Sequence, residues 1–288
     1  MTSSIPKISV LLPTYRQPEF LVLAIRDLTV QVYPKDCWEL VVVDDGSRDR
    51  SAEIALMTAE HDIAVTIKRL PQGGRYSHAK IFNELLRLAS PDSSVFIHVE
   101  DVRLLPNFLL AHAKWHQTND RFLVTGPMCE GPAETFDPSA CSRWPLMQMS
   151  GVTSMAYRCC FQAIFAKSMS YSRLLLNDLT KNGDFQPFDS LMTGWGYHET
   201  EFSFRATLAG AICIYDVECG TYHPGHSVRD EVRYRRIDRT LMQSEGTADN
   251  VKFLCEKHGL PMLPEWRVGE PIESPSPISA EWRSEHDF

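Results

Sequence analysis

No stretch of the chain approaches the roughly 18 consecutive apolar residues that a membrane-spanning helix needs. The opening MTSSIPKISVLLPTY has no charged region leading into an apolar run and a small-residue cleavage site, so a secretory signal is not expected. A cytoplasmic protein without a transmembrane segment is the expectation. Basic charge is also short: 29 Lys and Arg stand against 37 Asp and Glu, for a formal net charge of −8. This excludes phosphate neutralisation as a driving force, and with it non-specific nucleic-acid binding. The eight cysteines (Cys37, Cys129, Cys141, Cys159, Cys160, Cys213, Cys219 and Cys255) form no CxxC pair and no regular framework. Reduced, structural thiols are therefore expected. A GxGxxG fingerprint is missing after the first apolar run, where PTYRQP stands, which argues against a dinucleotide-dependent dehydrogenase.

What is present suits one α/β unit. With 43% hydrophobic and 23% charged residues in 288, the chain has the composition of a folded globular protein. Ile8 to Leu12 reads as a buried strand, and Leu21, Ala24, Ile25, Leu28 and Val32 follow at helical spacing. Leu40 to Val43 forms a second strand, after which Asp49 or Ser51 can cap a helix carrying Ala52, Ala55, Leu56 and Ala59. Val65 and Ile67 suggest a third strand. After the Gly73-Gly74 break, Ala79, Phe82, Leu86 and Ala89 mark a helix, and Val95 to Val99 a fourth strand. A helix is expected from beyond Pro106 through His116, an irregular stretch over Cys129 to Arg143, a turn at Gly194-Trp195-Gly196 and a helix from Glu201 to Leu208. From Gly259 onward prolines break the periodicity, so residues 261–288 read as a tail or wrapping arm. In open α/β sheets ligands gather at the carboxyl ends of strands, here Thr14, Asp44, Asp45, Glu100 and Asp101.

Acidic clusters at these strand and turn ends suit a metal and an anionic substrate. Together, VVVDDGSRD, the Glu100-Asp101 pair and GWGYHETEF resemble the family 2 glycosyltransferases over roughly residues 7–226. The resemblance implies a GT-A (Rossmann-like) fold with a mostly parallel central sheet and helices on both faces. A single domain over 1–260 would comprise a nucleotide-binding half (1–105) and an acceptor-binding half (106–260). Thr14 and Tyr15 then lie against the nucleotide base, and Asp44 and Asp45 accept hydrogen bonds from the nucleoside. Taken alone, DDGS is equally a capped strand-to-helix turn. Arg75, near Lys80 and Asn83, falls on the element that lines diphosphate and sugar, though the usual ARN triplet is absent.

HVEDVRLLP resembles the metal-binding strand end of the family, with Asp101 as ligand to Mn²⁺ or Mg²⁺, Glu100 beside it, and Val99 where a first carboxylate is usual. His223 and His226 can supply an imidazole in compensation. In GWGYHETEF, His198 stands where Glu is more common and Glu199 where the catalytic base is expected. Trp195 either floors the acceptor sugar or anchors the core. Arg229, Arg233, Arg235, Arg236 and Arg239 line a solvated helix face, fold over the diphosphate or touch a membrane surface peripherally.

The implied activity is an inverting, metal-dependent hexosyl or N-acetylhexosaminyl transfer from a nucleotide diphosphate-sugar, UDP favoured, to an acceptor hydroxyl. The rival expectations are a retaining transferase of the same fold and a nucleotide-sugar-binding protein without catalysis, the latter suggested by Val99 and His198.

Overall fold

In the computed structural model, the described residues are 5–48, 63–71, 77–131, 156–181, 185–193, 196–224, 239–261 and 268–272. The predicted first strand is β1 (Ile8–Thr14), and its residues alternate between two buried faces. β1 pairs in parallel with β2 (Trp38–Asp44) so that Thr14 lies opposite Asp44 and both strands end at one edge. β3 (Ala64–Arg69) and β4 (Val95–His98) extend this parallel block. Near-continuous Val, Ile and Leu runs are what strands buried on both faces require.

Helices cover both faces. Leu11, Val41, Val43 and Phe96 pack against Ala79, Phe82, Leu85 and Leu86 of α2 (His78–Leu88). Val10, Leu12, Leu40, Val42 and Ile97 pack on the opposite face, against Leu21, Ile25 and Leu28 of α1 (Pro18–Thr29) and Phe108 and Leu109 of α3 (Phe108–Thr118). Proline at the first turn of α1 suits a position whose N–H has no intrahelical partner.

The stretch without periodicity supplies short strands. β5 (Arg103–Leu104), β6 (Phe122–Thr125), β7 (Met128–Gly131), β8 (Ala156–Cys159) and β9 (Met169–Ser172) precede α4 (Arg173–Leu179) and α5 (His198–Leu208). β10 (Ile212–Asp216), β11 (Thr221–Pro224), α6 (Arg239–His258) and β12 (Val268–Ile272) complete the described chain. The large sheet has the order β12-β8-β10-β6-β9-β4-β1-β2-β3, and only β8 and β9 run against the other seven strands. The central sheet is thus mostly parallel in strand direction. Within the proline-rich segment, residues 268–272 pair with β8. A second sheet, β5-β11-β7, brings Tyr222 and His223 towards the end of β4.

Helix α5 starts at His198, three residues before the expected Glu201. Gly196 and Tyr197 both take positive φ, 80° and 66°, and Tyr197 O accepts the first helical bond from Glu201 N. The turn therefore ends one residue before His198, which puts Glu199 in the first turn. No helix among the described residues is long and apolar enough to cross a membrane. Cys213 and Cys219 are buried thiols, and burial pushes Cys213 up to about 11, as in an inert core thiol.

Candidate active site

Three strand ends and one turn converge at the carboxyl edge of the parallel block. At the end of β2, Asp44 is buried, and its Oδ1 accepts the Ser47 backbone N–H at 2.8 Å. Among the described residues its Oδ2 has no hydrogen-bond partner, and Arg69 Nε lies 3.8 Å away. A buried carboxylate oxygen is stabilised most by a donor that hydrogen-bonds to it. Burial raises the neighbouring Asp45 carboxyl above its ordinary value, against the pull of Lys80.

The turn after β1 ties this corner to the next. Asp45 N donates to Thr14 O, and Arg16 N donates to Ser47 Oγ at 2.7 Å. Arg16 adopts φ 53°, with its guanidinium 4.9 Å from the Tyr15 ring. One residue on, Gln17 Nε2 reaches Asp101 Oδ2 at 3.4 Å. Residues 14–17 thus span the distance between the Asp44 corner and the Asp101 corner.

Asp101 is held from two sides. Lys167 Nζ lies 2.6 Å from Oδ1, and His223 Nε2 lies 3.2 Å from Oδ2. Burial opposes ionisation of Asp101, but the His223 hydrogen bond and the Lys167 ammonium outweigh it and hold the carboxyl well below its ordinary range. Glu100 has the opposite balance: burial pushes it up to about 7, opposed by Lys167 and reinforced by Asp101 and Glu199. Val99, where a first carboxylate is usual, is fully buried in the apolar layer.

Glu199 faces this cluster. Burial raises its carboxyl, and the Lys167 charge opposes the rise. The ring of His198 is buried, 5.5 Å from that of His78 in an edge contact, with Nε2 3.2 Å from Met192 O. Burial lowers His198 to about 4. Asn83, which the resemblance placed near the diphosphate element, instead clasps Phe188: its Nδ2 donates to Phe188 O and its Oδ1 accepts Phe188 N. The structure therefore gathers Thr14, Tyr15, Asp44, Asp45, Glu100, Asp101, His198, Glu199 and His223 along one edge. Arg75, Trp195 and His226 lie outside the described residues. Lys167, Gln17 and His78 were not read from the sequence as site residues: Gln17 lies in PTYRQP without a role assigned to it, and Lys167 is brought there by the 3₁₀ turn Ala166–Ser168 ahead of β9.

Among the described residues no group of three or more His, Cys, Asp and Glu is placed to hold a metal ion. Asp101 and His223 form a pair, and their 3.2 Å separation is close to the edge spanned by two adjacent ligands of an octahedral ion, each about 2.1 Å from it.

The sequence matches the profile "Glycosyl transferase family 2" over residues 9–169, more than half of the chain. It is 39% identical over 75 residues to the glycosyltransferase AglE of Haloferax volcanii. It is 41% identical over 70 residues to an undecaprenyl-phosphate 4-deoxy-4-formamido-L-arabinose transferase of Photorhabdus laumondii. Those alignments cover 25% and 23% of this chain and 25% and 22% of the relatives, so the chain spans about a quarter of the curated relatives' length.

The mannosyltransferase PcManGT from Pyrobaculum calidifontis, solved with GDP-Man and Mn²⁺, matches with a TM-score of 0.56 at 18% identity, covering 90% of this chain and 73% of that one. TarS of S. aureus matches at 0.58 and 17% identity, covering 88% and 72%, and it has also been solved with UDP and with UDP-GlcNAc. At these identities the likeness establishes the GT-A architecture. The profile covers the strand ends that carry Thr14, Asp44, Glu100 and Asp101, and the chain belongs to glycosyl transferase family 2.

Proposed function

We propose that this glycosyltransferase moves a sugar from a nucleoside diphosphate donor, UDP favoured, to an acceptor hydroxyl with inversion. The observation that carries the reading is the single turn at residues 14–17, which is bonded to Ser47 beside Asp44 at one end and to Asp101 at the other. A nucleotide lying along that turn would set its base against the unpartnered Asp44 Oδ2 and its phosphates towards Asp101 and Lys167. The neighbours solved with GDP-Man, UDP and UDP-GlcNAc support this class of donor.

Glu199 is the proposed base. Its carboxylate takes the proton of the acceptor hydroxyl as that oxygen bonds to the anomeric carbon, while the bond from the anomeric carbon to the diphosphate breaks. A positioned carboxylate gives about 10²- to 10⁴-fold in such a step. Burial that raises its affinity for a proton makes it a better acceptor than an exposed glutamate. Asp101 and His223 are the residues that would hold a divalent ion, Mn²⁺ or Mg²⁺, with phosphate and water completing the shell. When bound, the ion would neutralise charge on the leaving diphosphate. His226 is a further proposed ligand, Arg75 a proposed donor contact, and Trp195 and His198 proposed acceptor-side residues.

A thermal-shift panel of UDP, GDP, TDP, CMP and NAD, with and without Mn²⁺, tests the reading. Saturation at 100 times Kd adds about 2.7 kcal/mol, on the order of 5–10 °C for a chain of this size. Stabilisation by one nucleoside diphosphate supports the proposal. Stabilisation by none, or by NAD alone, rejects it. Product anomeric NMR then separates inversion from retention.

A further inference from the structure

Lys167 belongs to no motif that points to the site, yet its ammonium sits among the site's carboxylates. The cause is the connection into the sheet. β9 runs antiparallel to β4 with His98 opposite Met169, and the 3₁₀ turn Ala166–Ser168 immediately before β9 places Lys167 beside the residues that follow β4, at the carboxyl edge. There Nζ lies 2.6 Å from Asp101 Oδ1 and 3.9 Å from Glu100 Oε2, and its charge is felt at Glu199. The side chain is 22% exposed, so the ammonium is neither sealed in nor freely solvated.

Charge arithmetic shows why such a group matters. Two unit charges 4 Å apart at an effective dielectric of 20 interact by about 4 kcal/mol. A diphosphate entering beside Glu100, Asp101 and Glu199 adds negative charge to a region already rich in it. A lysine carries three N–H donors, and Asp101 Oδ1 needs only one of them. The two oxygens of Asp101 are also divided: Oδ1 faces Lys167, whereas Oδ2 faces His223 and Gln17. Occupation of the Oδ2 side therefore leaves the lysine in place.

Resting on the donor assignment above, we propose that Lys167 is a protein-borne cation for the donor diphosphate, which gives nucleotide binding a component independent of any divalent ion. The test is isothermal titration in EDTA with UDP and GDP, using uridine and guanosine as phosphate-free controls. Lys167→Met should weaken the preferred diphosphate at least tenfold, leave its nucleoside within twofold of wild type, and contrast with Lys167→Arg, which retains diphosphate binding within about threefold. Diphosphate affinity in Lys167→Met within twofold of wild type overturns the proposal, as does a wild type that binds diphosphate only with Mn²⁺. If Lys167→Met also loses the nucleoside, its fold is damaged and the arginine variant decides: retained diphosphate binding supports the role, and loss rejects it. A wild type that binds neither diphosphate, with or without Mn²⁺, refutes the donor assignment itself and this proposal with it.

Discussion

Glu199 and Glu201 stand two residues apart on α5 and face opposite ways, as about 100° per residue on a helix requires. Glu199 points to the Glu100 and Lys167 cluster. Glu201 is fully buried against the other side, where Arg205 pairs with both its oxygens and Lys257 and His258 reach Oε1 at 2.6 and 3.0 Å. Burial would raise Glu201, but Arg205 and Lys257 override it and hold the carboxyl at about 2. One acid keeps a raised affinity for a proton beside the strand-end cluster, and the other fastens α5 to α6.

Neutralising each acid should therefore fail differently. Glu199→Gln should keep the thermal midpoint and nucleotide affinity while transfer falls by about 10²- to 10⁴-fold. Glu201→Gln removes the common partner of three basic side chains and should cost about 3–5 kcal/mol of stability, as breaking a buried ion pair does. Denaturation curves alongside a transfer assay check the pair. Near-normal turnover in Glu199→Gln rejects the base role.

Asp44→Asn probes the unpartnered oxygen. The amide can still accept from Ser47 N through its own oxygen, so the fold should hold with the midpoint little changed: the lost Arg69 pairing and the new amide N–H groups offset the removal of a buried charge. Nucleoside affinity should fall about 10- to 100-fold, because a hydrogen bond to a charged acceptor is worth about 1.5–3 kcal/mol. Titration with the nucleoside alone measures it. Unchanged affinity would place the base elsewhere.

The parallel block was legible because its strands are apolar on both faces: Ile8 to Leu12, Leu40 to Val43 and Val95 to Val99 each lie within one residue or two of an observed strand. The middle was not, because β6, β8 and β9 are four residues each, too short to show a period, and long-range pairing rather than local pattern specifies them. Asp101 and Glu199 were legible through their motifs. Lys167 and Gln17 were not, since each acts through a partner 66 or 84 residues away. The expected helix over Ala52 to Ala59 lies outside the described residues.

Acid should weaken the fold from pH 6.5 downward. His112 Nδ1 and His116 Nε2 both bond Ser170 Oγ, at 2.7 and 2.8 Å, and His98 Nε2 shares a bond with the Tyr171 hydroxyl. Burial lowers His98 and His116 to about 3 and His112 well below its ordinary value. His78 and His198 are also lowered by burial. Each is depressed in the fold, so the unfolded chain binds protons first as pH falls through 6.5, and stability declines from there. Asp45, Glu100 and Glu199, raised by burial, act in the opposite sense between pH 7 and 4.5. Five histidines against three carboxyls leave a net decline. Urea denaturation at pH 7.5 and 5 should give the lower stability at pH 5, and equal stability would show that the imidazoles are not held neutral.

Gly126→Ala tests how His223 is delivered to Asp101. A Cβ on Gly126 would stand 2.2 Å from the carbonyl carbon of Cys219 and 2.6 Å from the nitrogen of Gly220, so backbone must move. That backbone leads directly into β11, whose first residue donates from Thr221 N to Pro127 O and which carries His223. Overpacking of this kind costs about 1–3 kcal/mol, and the displaced strand should draw the imidazole away from Asp101 Oδ2. Lys167 reaches Oδ1 from the 3₁₀ turn Ala166–Ser168 that precedes β9 and stays where it is. The variant should therefore lose the Mn²⁺-dependent gain in nucleotide affinity while keeping the affinity seen in EDTA, a split that titration resolves. Loss of both would mean that the two sides of Asp101 are not independent, and retention of both would remove His223 from the ion's shell.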